Sequence, residues 1–153
     1  MLKNPFYIKD KTSYPKPTSG WAVDASTTIT NPGPSEYRCV NIATGEIIFN
    51  TKIGFATNNQ AEFLAVVQAI ILSHSQGIKT TIYSDSQTAI CWFRKAKYNT
   101  MLKRDATTEG VFDLLDESIE WLKESRSKGI KLNVVEWWAT PIWGEIVADY
   151  NRK

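Results

Sequence analysis

Four carboxylates, Asp24, Glu62, Asp85 and Asp149, are the side chains of this sequence best suited to chemistry. The first three each stand alone in an uncharged run: Asp24 between Lys16 and Glu36, Glu62 between Lys52 and Lys79, Asp85 between Lys79 and Arg94. A carboxylate taken out of water without a partner is costly, so such groups find hydrogen bonds, take up a proton or bind a metal. Oxygen ligands with no histidine or cysteine among them suit Mg2+ or Mn2+, not zinc. Two such ions held side by side activate a water and stabilise a leaving oxygen in phosphodiester cleavage.

Each acid also has a local explanation. Asn59 as N-cap with Glu62 at the third helical position reads as a capping box. Asp85 fits a cap or turn, and Asp149 fits a solvated helix acid. One shared site accounts for all four at once, whereas the local explanations must all hold independently. Glu145, four residues before Asp149 on an expected final helix, shares its face and is an auxiliary candidate.

The elements that must position these groups follow from pattern and punctuation. Strands are expected over Trp21 to Thr28, Tyr37 to Ile42 and Glu46 to Ile53, joined by the Asn31–Pro34 turn and the Thr44–Gly45 hairpin. Residues Ala56 to Gly77 read as a helix that is apolar on nearly every face and therefore buried. Thr80 to Ser84 is a fourth strand, Ser86 opens a helix, and Glu109 to Lys128 is an amphipathic helix. Lys131 to Trp138 is a fifth strand and Trp143 to Tyr150 a final helix. The order βββ-α-β-α-α-β-α predicts an α/β fold: a five-stranded mixed sheet, three antiparallel strands and then two reached by helical crossovers. Strand ends in such a sheet gather Asp24 and Asp85, and the first turn of a helix packed there adds Glu62.

Length and composition set bounds. At 153 residues, 42% hydrophobic and 22% charged, the chain is expected to form one domain over residues 21–153 behind a lead-in of residues 1–20. The net charge of +2 implies no partner by itself. Cys39 and Cys91 form no metal or disulfide pattern and fit a reducing compartment. No membrane span or signal-peptide core is apparent, so a cytoplasmic location, no membrane association and no obligate protein partner are expected, with the chain a monomer.

The chain resembles type 1 ribonuclease H over about residues 21–151. The resemblance rests on Asp24-Ala25-Ser26 with Asn31-Pro32-Gly33-Pro34, on Thr57-Asn58-Asn59-Gln60-Ala61-Glu62, on Ser84-Asp85-Ser86-Gln87 and on Gly144 to Asp149. It implies a ribonuclease H-like fold in which Asp24, Glu62, Asp85 and Asp149 are the catalytic and metal-binding acids. It also implies two Mg2+ ions, with Mn2+ as a substitute. The implied reaction is hydrolysis of the RNA strand of an RNA–DNA hybrid to 5′-phosphate and 3′-hydroxyl ends.

The same resemblance implies that Asn58, Asn59 and Gln87 face the hybrid's minor groove and that Thr57 and Asn31 grip a DNA phosphate. The wide groove exposes 2′-hydroxyls and base edges to short polar side chains. Arg94, Lys95, Lys97, Lys103 and Arg104, interleaved with Trp92, Phe93 and Tyr98, match the family's basic substrate-binding segment; Trp92, Lys95 and Lys97 are its leading contacts. Ser26, beside Asp24, is an auxiliary residue. Two departures stand out. Ala25 replaces the usual glycine, and the Ala139–Ile142 loop lacks the histidine many members carry. His74 lies roughly 18 Å from Glu62 along their shared helix and cannot replace it. The rival readings are a catalytically silent nucleic-acid-binding module of the same fold and another nuclease of the same superfold.

Overall fold

The computed structural model describes residues 14–150. Strands β1 (Trp21–Thr27), β2 (Gly33–Asn41) and β3 (Ile47–Ala56) form an antiparallel meander. Helix α1 (Asn58–Ser75) leads to β4 (Ile82–Ser84), then α2 (Gln87–Lys95), α3 (Glu109–Ser127), β5 (Val135–Trp137) and the single turn α4 (Thr140–Trp143). The sheet order is β3-β2-β1-β4-β5, with β1–β4 and β4–β5 parallel. This is the predicted mixed sheet of the ribonuclease H-like fold. Among the described residues, no helix is long and apolar enough to cross a membrane.

α1 is the centre of the core. Phe63, Leu64, Val66, Val67 and Ile70 are all buried, as expected of a helix apolar on most faces. It packs on β1 and β2, with α2 toward the β5 edge and α3 toward the β3 edge. Gln68 fastens it to the sheet, accepting from Tyr37 Oη at 2.6 Å and Thr51 Oγ1 at 3.2 Å. Tyr37 lies opposite Ala25 and Thr51 in the ladder, so that row faces α1. The adjacent row, Asp24–Arg38–Asn50, therefore faces the other side of the sheet.

Two expectations are corrected. Thr57, not Asn59, caps α1: its hydroxyl accepts from Gln60 N at 3.1 Å while Gln60 Oε1 accepts from Thr57 N at 2.8 Å. The capping box is thus Thr-x-x-Gln, and Glu62 falls in the second turn with no capping duty. The final helix over Trp143 to Tyr150 is absent, and residues 144–150 run as irregular chain. Gly144 leaves α4 at φ 82, and its carbonyl, which a helix would offer to Ala148 N, accepts Trp138 Nε1 at 2.8 Å. Burial then alternates, with Ile146 and Ala148 buried and Glu145 and Val147 exposed, and a short turn closes from Asp149 N to Ile146 O at 2.9 Å. Glu145 and Asp149 share no helical face.

In the β1–β2 turn, a side chain on Gly33 would sit 2.3 Å from the Thr30 carbonyl, so only glycine closes it. Of the expected lead-in, residues 1–13 lie outside the described residues. Within residues 14–20, Tyr14 O accepts from Trp143 Nε1 at 3.3 Å, and Lys16 Nζ stands 5.9 Å from the Trp138 ring.

Candidate active site

Parallel pairing of β1 with β4 runs Trp21↔Ile82, Ala22↔Tyr83, Val23↔Ser84 and stops. The next residues in that register are Asp24 and Asp85. With the ladder ended, the edge of β1 is open there, and Glu62 on the second turn of α1 reaches the gap. Carboxylate oxygens of Asp24, Glu62 and Asp85 all lie within 4.8 Å of one another. Three acids separated by tens of residues thus converge because one strand pair ends where one helix begins.

Asp149 approaches from the opposite side of the sheet. Its charge acts on both Asp24 and Asp85, which puts it at the edge of the cluster although it is not one of the three mutually close acids. Glu145 is exposed, and its charge reaches Asp85.

Like charges crowded in a partly dry site resist ionisation. Burial first, then the charges of Asp85 and Glu62, push the Asp24 carboxyl up to about 8. Burial and the Asp85 charge raise Glu62 to about 7, against hydrogen bonds from Ser86 and Asn58. Burial raises Asp85 to about 6, opposed by its own backbone N–H and reinforced by Glu145 and Asp149. Without a cation this site stores protons. A divalent ion would displace them, and the all-oxygen donor set fits Mg2+ or Mn2+.

The expected substrate residues divide into two groups. Asn58 is engaged internally: Nδ2 donates to Glu62 Oε1 at 2.6 Å, and its backbone N–H donates to Asn31 Oδ1 at 3.0 Å. Asn59 and Gln87 are exposed at the first turns of α1 and α2. Asn31, Thr57, Asn59 and Trp92 line one cleft of about 320 Å³ with Asn99, Thr100 and Met101, and no acid contributes to it. Ser26 lies two residues from Asp24 on the same face of β1. Lys95 and Lys97 are exposed, and among the described residues neither forms an ion pair. Arg104 is committed elsewhere, to Glu109 at 2.8 Å, Asp113 at 2.8 Å and Asp116 at 2.7 Å.

Sequence reasoning missed the support that three residues give the acids. Ser86 caps α2, its hydroxyl accepting from Ala89 N at 3.0 Å, and also bonds Glu62. Asn58 precedes Glu62 by one helical turn, a spacing that could have been read. Arg38 donates to the carbonyls of Ala148 and Asp149 and left no local signal.

A family model described as RNase H matches residues 18–139. The chain is similar to the crystal structure of RNase H1 from the halophilic archaeon Halobacterium salinarum NRC-1, at 23% identity over 76% of this chain and 82% of that one, with a TM-score of 0.48. LC11-RNase H1, isolated from compost by a metagenomic approach, has been crystallised in complex with an RNA/DNA hybrid. That structure is 18% identical over 76% of this chain and 80% of its own, with a TM-score of 0.44. The RNase H domain of prototype foamy virus is 14% identical over 78% of both chains, with a TM-score of 0.44. Asp24, Glu62 and Asp85 fall inside the matched region, while Glu145 and Asp149 lie beyond its end.

Proposed function

This chain belongs to the RNase H family, and from that premise we propose that it is an endoribonuclease hydrolysing the RNA strand of RNA–DNA hybrids. The products are 5′-phosphate and 3′-hydroxyl ends. The observation that carries this reading is the convergence of Asp24, Glu62 and Asp85 within 4.8 Å at the end of the β1–β4 ladder. A bare carboxylate cluster repels a phosphodiester, so the site has use for such a substrate only when cations intervene. Asp24, Glu62, Asp85 and Asp149 would hold two Mg2+ ions, or Mn2+ in their place. When bound, such ions activate water and neutralise charge on the leaving oxygen.

The chain's own residues supply the rest. Asn58 and Ser86 hold the Glu62 carboxylate in one orientation. Asn59 and Gln87, exposed at two helix starts, reach ribose hydroxyls across the minor groove, which makes recognition depend on strand chemistry instead of base order. The acid-free cleft of Asn31, Thr57 and Trp92 receives a phosphate of the DNA strand, and Lys95 and Lys97 add backbone contacts. The free thiols Cys39 and Cys91 suit the reducing cytoplasm, and all elements of the site come from one chain, which would act as a monomer.

The test is digestion of an end-labelled RNA–DNA hybrid with and without Mg2+. Cutting confined to the RNA strand and dependent on Mg2+ is expected. Binding without cutting would reduce the protein to a recognition module, and equal cutting of duplex DNA would make it a different nuclease.

A further inference from the structure

Asp149, whose charge acts on Asp24 and Asp85, lies on a segment outside the helices and strands. Residues 144–150 are irregular, and Asp149 N closes only a short turn onto Ile146 O at 2.9 Å. One tie to the sheet comes from a side chain in the middle of β2. Arg38 Nε donates to Ala148 O at 2.7 Å and its Nη2 donates to Asp149 O at 2.6 Å. The Tyr150 ring covers the guanidinium at 4.4 Å, and Tyr150 Oη donates to Asn50 Oδ1 at 2.7 Å. Asn50 and Asp24 are the two ladder partners of Arg38, one on β3 and one on β1. The row of the sheet that sets Asp24 in the cluster therefore also sets the position of Asp149.

We infer that Arg38 is a positioning residue for Asp149, holding the two carbonyls that bracket the Asp149 backbone so that its carboxylate meets the acid cluster. This rests on the hydrolase reading given above. The chemistry of the clamp suits the task. A planar guanidinium bonds two adjacent carbonyls in one geometry, which an ammonium cannot do. Its charge is spent on backbone oxygens, and among the described residues the Asp149 carboxylate forms no ion pair with it. A direct Arg38–Asp149 bridge would neutralise the ligand; a bridge to the backbone positions it and leaves its charge available for a cation. Supporting partners of this kind typically govern metal affinity as strongly as they govern rate.

The experiment compares Arg38→Ala, Arg38→Lys, Asp149→Asn and the Arg38→Ala/Asp149→Asn double variant by Mn2+ titration calorimetry and by steady-state cleavage of a hybrid. Arg38→Ala is expected to weaken Mn2+ binding roughly 10-fold and lower kcat by a similar factor, with KM for the hybrid within about 2-fold of wild type. Arg38→Lys is expected not to rescue either. In the Asp149→Asn background, Arg38→Ala is expected to change Mn2+ affinity by less than about 2-fold, since the two act as one unit. Wild-type Mn2+ affinity and kcat in Arg38→Ala would overturn the inference. So would the same roughly 10-fold loss persisting in the Asp149→Asn background, which would mark a general structural role. If Arg38→Ala does not fold, Arg38→Lys carries both comparisons. A wild-type protein that cuts no hybrid would strike the hydrolase reading, while the Mn2+ titrations would still judge the role of Arg38.

Discussion

Asn58 donates a 2.6 Å hydrogen bond from Nδ2 to Glu62 Oε1, one helical turn ahead on α1. The residue that the family resemblance assigns to substrate is thus occupied with a carboxylate of the cluster. The bond favours the ionised form of Glu62, against burial and the Asp85 charge. Asn58→Ala is therefore expected to lower kcat roughly 10–100-fold, to raise the Mg2+ concentration required, and to shift the pH–rate profile upward. KM for the hybrid should stay near wild type. A raised KM with kcat unchanged would return Asn58 to the substrate.

Asp85 sits one residue past the end of β4 and contributes to the raised pKa values of both Asp24 and Glu62. Asp85→Asn keeps the shape and removes the charge. Cleavage of a labelled hybrid should fall below detection while hybrid binding survives. The metal-free protein should also gain thermal stability at alkaline pH, because one source of repulsion is gone. Substantial residual cleavage would count against the assignment of this acid.

The three mutually close acids were legible because each is isolated in an uncharged run of the sequence, Asp24 within β1, Glu62 early in α1 and Asp85 just past β4. The parallel register then brings Asp24 and Asp85 side by side with no further information. Part of what was illegible depends on distant partners. Arg38 finds its acceptor carbonyls 110 and 111 residues away, and no local pattern announces that. The final helix failed for a local reason, since Gly144 leaves α4 at positive φ and its carbonyl is taken by the Trp138 indole. The cap of α1 was misplaced by two residues because both Thr57-x-x-Gln60 and Asn59-x-x-Glu62 fit the same signature, and the threonine hydroxyl won.

The acid cluster makes stability depend on pH in a defined direction. Asp24, Glu62 and Asp85 titrate at about 8, 7 and 6 in the folded protein, against 3.8, 4.5 and 3.8 for the unfolded side chains. Between about pH 4 and 8 the native state therefore binds more protons than the unfolded state, and stability falls as pH rises. This contribution is fully present below the unfolded values and is lost as pH passes through about 6, 7 and 8. Glu109, Asp116 and Glu124 are exposed, and hydrogen bonds from Arg104 or Lys128 move their carboxyls in the opposite direction, below the usual range. Metal-free protein should melt at a lower temperature near pH 8.5 than near pH 5.5. Excess Mg2+ should restore most of the difference at the higher pH and little at the lower, where protons compete. A melting temperature that is flat with pH in metal-free buffer would contradict the crowding of these acids.

The basic segment after α2 separates into charges that are spent and charges that are free. Arg104 is surrounded by Glu109, Asp113 and Asp116, and Tyr98 Oη adds a 2.8 Å bond to Asp116, so this part of the loop is fastened to α3. Arg126 Nη2 and Nη1 donate to the carbonyls of Phe93 and Arg94 at 2.7 and 3.2 Å, pinning the end of α2 from the other side. Lys95 and Lys97 remain exposed between these anchors. Each phosphate neutralised contributes roughly 0.7–0.9 to the slope of log K against log salt concentration. Lys95→Ala with Lys97→Ala should therefore weaken hybrid binding at low salt and make that slope shallower by roughly 1–2. Arg104→Ala should lower the melting temperature and leave the slope unchanged, since its charge is already matched by acids. The reverse pattern, with the slope following Arg104 and ignoring the two lysines, would mean that substrate binding pulls Arg104 away from α3.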